Sequence, residues 1–491
     1  MKPRFVFHMS DLFMFVRSYL KLSISLMFLM VIMLHGQSAR GEDLMGIYKL
    51  ALENDSTFQG ERYRHDASPE IYKQACSELM PSVSLDASYQ YTRQEIFDTD
   101  VAVYGADLAR YPSKGYTLSL TQPILVYPSF MRVLQAQEEV KRTDLEFEAA
   151  KQELIFRVVE LYIGIMEAHD NLEFTLAEEE AIRVHFELAQ ERYNNGLAPI
   201  TDFHDAKARL ASVTARKSRV ENGLDDALEA LAEVTGQKID NLAKLKFAKI
   251  SIDYLKNPTA VRDSSLCLSE KQEANQGEMP LISPDPDDIN KWVDAGRKQN
   301  LEVLVQEQAM LVAKREVERQ RGGHYPSLAF VARLNRDNQG GSLFGGESDL
   351  ETREAILQMS FPIFEGLSVM SKTREAQKLY AATEQDLEKA IRLVKREARA
   401  AFLGVKSAIE NSEALRQSVM SNQIALEAKR EGFKSGLFPS LAVLDAERDL
   451  HQAKLEYAKA QYEYILNSFR LKKAMSTLNE EDIYGVNKWL E

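Results

Sequence analysis

Cysteine is nearly absent from this sequence of 491 residues, which contains only Cys76 and Cys267. Two cysteines exclude a disulfide-rich scaffold, and their wide separation excludes the Cys-x-x-Cys spacing of a redox or zinc motif. The pair is compatible either with one disulfide, formed in an oxidising compartment, or with two unpaired thiols.

Motifs that carry catalysis are missing as well. The eight histidines are scattered, and the sequence has no His-Glu-x-x-His, no phosphate-binding loop and no Gly-x-Ser-x-Gly. His204 lies near Asp202 and Asp205, but a solvated helix start explains this group better than a metal site does. We therefore predict a protein that is not an enzyme and that uses no cofactor or metal ion.

Long apolar runs are missing beyond residue 41, where no stretch approaches the roughly 20 residues of a membrane-spanning helix. Upstream, basic residues from Lys2 to Lys21 precede an apolar run over 22–34 and a small, polar segment ending at Gly41. This order predicts a cleaved secretory signal peptide over residues 1–41. The alternative is a membrane anchor, for which the apolar run is short.

Basic residues are outnumbered by acidic ones. Removal of the leader, with its five basic residues and one acidic residue, takes the formal net charge from −13 to −17. An acidic balance argues against nucleic acid as a partner and is compatible with a surface or lumen that favours cations.

What the sequence does contain is an internal duplication with an offset of about 240 residues. The segment Gly196-Leu197-x-Pro199, followed by Asp205-Ala206, recurs as Gly436-Leu437-x-Pro439 followed by Asp445-Ala446. Likewise, Thr121-Gln-Pro-Ile124 is matched by Ser360-Phe-Pro-Ile363. We predict a first repeat over 42–245, a linker over 246–288, a second repeat over 289–485 and a C-terminal tail over 486–491.

Each repeat is predicted to contain one helix, two strands, a very long helix, a tight turn and another long helix. The strands alternate apolar and polar residues, as in Val83, Leu85 and Tyr89, and polar loops over 95–112 and 337–351 join them. No proline interrupts the chain between Pro128 and Pro199, which predicts a helix of about 65 residues and about 100 Å.

The strand count predicts an oligomer. Four strands per chain are too few to close a barrel with an interior, and open sheet edges are not tolerated in lipid. Three chains would supply twelve strands, and heptad seams on the long helices would let them close into a ring. The alternatives are a soluble β-sheet with one solvated face and a soluble periplasmic coiled-coil adaptor or scaffold.

These motifs, together with Arg192-Tyr193-x-x-Gly196-Leu197, Val443-Leu444-Asp445-Ala446 and Leu478-Asn479-Glu480-Glu481-Asp482, resemble the TolC family of outer-membrane ducts over essentially all of the mature chain. The resemblance implies an α+β membrane protein, a trimeric twelve-stranded β-barrel continued by a long periplasmic α-helical barrel. It implies the outer-membrane channel of a tripartite efflux or type I secretion system of a Gram-negative bacterium, conducting small molecules or proteins. The implied partners are a periplasmic adaptor, an inner-membrane transporter and outer-membrane lipid.

The resemblance also implies a gate where the tunnel narrows. Tips that contact the adaptor are expected at Asn195, Gly196, Leu197, Ser435, Gly436 and Leu437, and gate residues at Thr201, Asp202, Asp205, Phe433, Phe438 and Asp445.

Two positions of the second turn depart from the best-known members of the family, in which an Arg stands at the position of Phe438 and an Asp at that of Ala442. These departures put in doubt the polar lock that the Arg and the Asp make in those members. They predict closure by apolar contact among three copies of Phe438, beside an acidic ring formed by Asp445 with Asp202 and Asp205. Thr201 is expected to be the N-cap of its helix.

Overall fold

The computed structural model describes residues 43–95, 108–197, 199–239, 241–244, 281–341, 346–488 and 490. The predicted signal peptide over 1–41 and most of the predicted linker lie outside the described residues. Cys267 lies outside them too, so the structure does not decide between a disulfide with Cys76 and two unpaired thiols.

The first half of the chain contains four helices and two strands in the described part. Helices α1 (Leu44–Asn54) and α2 (Ser56–Ser77) precede strands β1 (Ser82–Glu95) and β2 (Leu108–Leu125). Helices α3 (Tyr127–Asn194) and α4 (Ile200–Thr235) follow and form a hairpin.

The second half presents the same elements in the same order. Helices α5 (Ile289–Gln299) and α6 (Leu301–Arg321) precede strands β3 (Ser327–Gln339) and β4 (Ser348–Ser360). The hairpin of α7 (Ser368–Lys434) and α8 (Ser440–Ala474) follows, and α9 (Glu480–Asn487) is the last helix of the described residues. Helix α9 therefore crosses the predicted boundary at residue 485.

The prediction of one helix before each strand pair is wrong, because two short helices stand there in both halves. Asp55 separates α1 from α2, and its side chain accepts a hydrogen bond from the backbone N–H of Thr57. Asn300 separates α5 from α6 and accepts from the N–H groups of Glu302 and Val303. In each case the capping side chain satisfies donors at a new helix start, which makes the break stable.

The four strands form one antiparallel sheet in the order β1-β2-β3-β4. The two repeats meet between β2 and β3, where Thr117 pairs with Asn335 and their side chains hydrogen-bond at 2.9 Å. The predicted loops 95–112 and 337–351 are too long. Their outer residues continue the ladders, since Glu95 pairs with Leu108 and Gln339 with Ser348.

The first long helix has about the predicted length, and its counterpart in the second repeat is almost equally long. Helix α3 spans 68 residues and α7 spans 67, so each extends over about 100 Å at the usual rise per residue. Within the described ranges, no helix combines the length and the apolar character that crossing a membrane requires.

A hydrophobic core ties the two halves together near the middle of the long helices. Helix α3 packs against α8 of the second repeat as well as against α4. The core includes fully buried side chains from five helices, among them Leu44, Ile47, Leu154, Tyr162, Leu231, Ile465 and Ile483. This core fixes the position of one hairpin relative to the other.

Candidate functional site

The two hairpin turns have the same backbone geometry. Helix α3 ends before Gly196, which has φ +70°, and the N–H of Leu197 donates to the carbonyl of Arg192 at 2.8 Å. Helix α7 ends before Gly436, with φ +73°, and the N–H of Leu437 donates to Gly432 at 2.8 Å. Both are Schellman motifs, in which glycine adopts the left-handed conformation that other residues disfavour.

Each turn leads into its second helix through a proline. Pro199 and Pro439 occupy the N-cap positions of α4 and α8, with extended backbone and no side-chain cap. The prediction that Thr201 is the N-cap is therefore wrong: Ile200 is already helical, and the N–H of Asp202 donates to Pro199. Asp202 lies in the first turn of α4 as predicted, where its charge meets the helix dipole favourably.

Two leucines are the most exposed apolar residues of the turns. Leu197 is 77 % exposed and Leu437 is 78 % exposed. Both follow the left-handed glycine directly, so the rigid turn holds each side chain away from its hairpin. Leu197 and Leu437 therefore present apolar side chains to solvent at equivalent positions of the two repeats.

Stacked aromatic rings brace the first turn. The ring of Phe203 on α4 lies 5.6 Å from that of Tyr193 and 5.7 Å from that of Phe186, both on α3. These separations are typical of favourable aromatic pairs. Tyr193 is thereby engaged within its own hairpin.

Phe438 in the second turn packs back onto its own long helix. Gly432 of α7 is buried, and a β-carbon added there would collide with the Phe438 ring. The ring nevertheless stays 45 % exposed. Phe433 is exposed to a similar degree, so the second turn presents two half-exposed aromatic side chains.

Asp445 is held between two arginines. Its Oδ1 atom lies 3.3 Å from Nη1 of Arg209 on α4 and 3.5 Å from Nη1 of Arg448, one turn further along α8. The first contact joins the two repeats near their turns. Thr201, Asp202 and Asp205 are exposed, and the hydroxyl of Thr201 lies 3.4 Å from Oδ1 of Asp202.

A groove of about 230 Å³ lies behind this ion pair, between α3, α4 and α8. His185 of α3 and His451 of α8 line it, together with Arg209 and Asp445. Burial lowers the pKa of both imidazoles below the ordinary value of 6.5, since desolvation disfavours the charged form.

Sequence reasoning placed Asp445 at the gate but missed its partners. Arg448 could have been found, because a residue three positions along a helix lies on the same face. Arg209 could not, because its contact with Asp445 depends on how the two hairpins pack. The structure joins Asp445 to these arginines and not to Asp202 or Asp205 within one chain.

Comparisons with known proteins agree with this architecture. The sequence model of the family described as "Outer membrane efflux protein" matches residues 47–237 and 292–477. The chain is 31% identical to outer membrane protein TolC of Vibrio cholerae serotype O1, covering 92% of this chain and 94% of that protein. It is 26% identical to the alkaline protease secretion protein AprF of Pseudomonas aeruginosa, covering 90% and 85%.

A solved structure has the same fold. The outer membrane channel CmeC of Campylobacter jejuni superimposes with a TM-score of 0.71 at 16% identity, covering 92% of this chain and 90% of that one. The family match spans both repeats, each with its strands and hairpin. The chain belongs to the outer membrane efflux protein family.

Proposed function

We propose that this protein is the outer-membrane duct of an efflux or secretion system and works as a homotrimer. Three four-stranded sheets close into one twelve-stranded barrel in the membrane. The helical hairpins continue the barrel as a tunnel through the periplasm. The hairpin turns meet a periplasmic adaptor, which couples the duct to an inner-membrane transporter.

The observation that carries this proposal is that the four-stranded sheet has two unpaired edges. Within the described residues, β1 and β4 each pair on one side only, so both leave a row of unpaired backbone groups. Head-to-tail pairing of β4 with β1 of the next chain removes both edges in a closed ring. The strands of 13 to 18 residues exceed the roughly 9–11 residues that a membrane-spanning strand requires.

The side chains of β1 support a lipid environment for one face. Val83, Leu85, Tyr89 and Tyr91 share a face and are each more than three-fifths exposed in the single chain. Large contiguous apolar surface is rare on soluble monomers. Lipid on this face would bury it, while the alternate polar residues would line an aqueous lumen.

For the gate we retain the residues expected from the sequence and add Arg209. The exposed part of each Phe438 ring is available to its two symmetry mates, which would narrow the opening with apolar contact. Asp202 and Asp205 supply exposed carboxylates. Asp445 contributes more of its charge when Arg209 moves away and only Arg448 remains beside it, so the ion pair couples the acidity of the opening to the packing of the two repeats.

The names of the relatives support the two classes of cargo. One relative is a secretion protein for alkaline protease, and the family is described by efflux. We therefore propose that the duct conducts small molecules or proteins.

Reconstitution tests the proposed duct directly. Protein purified from the outer-membrane fraction in detergent should give discrete, cation-selective conductance steps in a planar lipid bilayer. Protein that washes off membranes without detergent and gives no conductance would point instead to a soluble scaffold.

A further inference from the structure

A cluster of metal-ligating side chains lies on α3, about two-thirds of the way towards the first turn. His169, Asp170 and Glu173 bring one imidazole nitrogen and two carboxylate oxygens within 4.8 Å of one another. His169 and Glu173 are four residues apart, so the helix places them on one face. Among the described residues, this is the one group of three or more such side chains close enough to share an ion.

The imidazole of His169 has hydrogen-bonding capacity that the fold does not use. Its Nδ1 atom is enclosed, yet it has no hydrogen-bond partner in the described part of the chain. Buried polar atoms are nearly always paired, so an unpaired nitrogen on a ring that belongs to this cluster calls for an explanation. A cation bound through this nitrogen would supply one, because neutral imidazole coordinates metals through an unprotonated ring nitrogen.

Asp170 is already oriented by a rigid neighbour. The hydroxyl of Tyr462 on α8 donates to Oδ2 of Asp170 at 2.7 Å, and Tyr462 is almost fully buried. A hydrogen bond from the surrounding protein that holds a ligating carboxylate is a regular part of metal sites, where it fixes ligand geometry. The second oxygen of Asp170 is thereby left for another partner.

We propose that His169, Asp170 and Glu173 bind a divalent transition-metal cation of the Zn²⁺ type. An imidazole combined with carboxylates suits Zn²⁺ and its neighbours, whereas Mg²⁺ and Ca²⁺ take oxygen ligands alone. Three protein ligands leave at least one coordination position for water.

Lys244 acts as the competing cation. Its Nζ atom lies 3.1 Å from Oε2 of Glu173. Metal binding needs the carboxylate that Lys244 now contacts, so the two cations exclude each other. Occupation of the site would release the lysine from Glu173.

The test is a titration of the untagged, detergent-purified, full-length protein with Co²⁺ and with Zn²⁺. Co²⁺ binding is followed by its visible absorption, and Zn²⁺ by its displacement of Co²⁺. We expect saturation at one ion per chain. Glu173→Gln and His169→Ala should each lower the affinity about tenfold or more, in line with the loss of a ligand. Glu180→Gln is the matched control, since Glu180 lies on the same helix and contacts Arg183.

Lys244→Met separates a metal site from a merely structural cluster. Removal of the competing ammonium should raise the affinity severalfold, and misfolding cannot produce a gain. Binding that is absent from the wild type, or that Glu173→Gln and His169→Ala leave unchanged, would overturn the proposal. Weaker binding in Lys244→Met would overturn the competition.

Discussion

Arg209 Nη1 on the first hairpin lies 3.3 Å from Asp445 Oδ1 on the second. Apart from this contact, the two hairpins meet mainly where α3 packs against α8. The buried core of that contact lies near the middle of α3, at a distance from the turns. Both side chains are well exposed, and such pairs typically contribute only about 0.2–1 kcal/mol. An interaction of this size can hold two hairpins in register at rest and still break when a partner binds.

Substitutions at this pair should change ion selectivity in opposite directions. Asp445→Ala removes a carboxylate from each chain, so cation selectivity and block by multivalent cations should both weaken. Arg209→Gln removes one of the two cations beside the same carboxylate and should strengthen both. Reversal potentials of the reconstituted channel under a salt gradient measure the effect. Equal shifts in the same direction would show that the pair does not set the charge of the opening.

Phe438→Ser should raise single-channel conductance. The exposed part of the ring is proposed to meet its symmetry mates, and burial of part of each Phe would contribute about 1–2 kcal/mol per chain. Leu437→Ser is the matched control, because Leu437 is a neighbouring apolar residue that points away from its hairpin. An unchanged conductance in Phe438→Ser, with pore opening on charge substitution of Asp202, would replace the apolar gate by a polar lock.

Acidification should loosen the packing around the groove. Burial lowers the pKa of His185, and the charges of Arg209 and Arg192 lower it further. Asp202 and Asp445 raise this pKa, but the lowering effects are larger. Burial, Lys454 and Arg430 lower the pKa of His451, whereas Glu447 and Glu178 raise it by less. Both histidines have a lower pKa in the folded protein than the value of 6.5 expected in the unfolded chain. Their contribution to the stability of the fold is therefore present when the pH is above 6.5 and is lost as the pH falls.

Thermal unfolding across this pH range checks the sign. The midpoint of the wild-type protein should fall as the pH drops below about 6.5. The double variant His185→Gln/His451→Gln should show a flatter profile over the same range. An identical pH profile in both proteins would show that His185 and His451 do not cause the loss of stability at low pH.

Much of the fold follows from local sequence signals. The absence of proline predicted α3, and the Gly-Leu-x-Pro segments predicted both turns. The breaks at Asp55 and Asn300 were missed because a capping side chain inside a helical pattern looks like an ordinary polar residue. Their effect depends on burial, which packing decides, and both are nearly fully buried.

Contacts between distant segments explain the remaining differences. The Nζ atom of Lys217 on α4 lies 2.9 Å from Oε2 of Glu179 on α3, a contact that the sequence of α4 alone does not indicate. This contact lowers the pKa of Glu179. Arg209 was missed at the gate for the same reason, because one sequence does not give the register between two hairpins.

Cysteines at Asn195 or Ser435 should crosslink to the periplasmic adaptor in intact cells. Both residues lie in the turns that end the longest helices, and Leu197 and Leu437 beside them are exposed. A cysteine at Glu180 serves as the control and should react less, because Glu180 is also exposed but lies on α3 at a greater distance from the turn. Crosslinks that form only from the segment between β1 and β2 would reverse the proposed orientation.

The mass of the detergent-solubilised particle tests the central claim most directly. Native mass spectrometry, after removal of detergent in the gas phase, counts the chains in one assembly. We expect three chains, because four strands with two unpaired edges close into a barrel only with copies of themselves. A stable monomer or dimer, with β1 and β4 still open at the ends of the sheet, would contradict the trimeric duct.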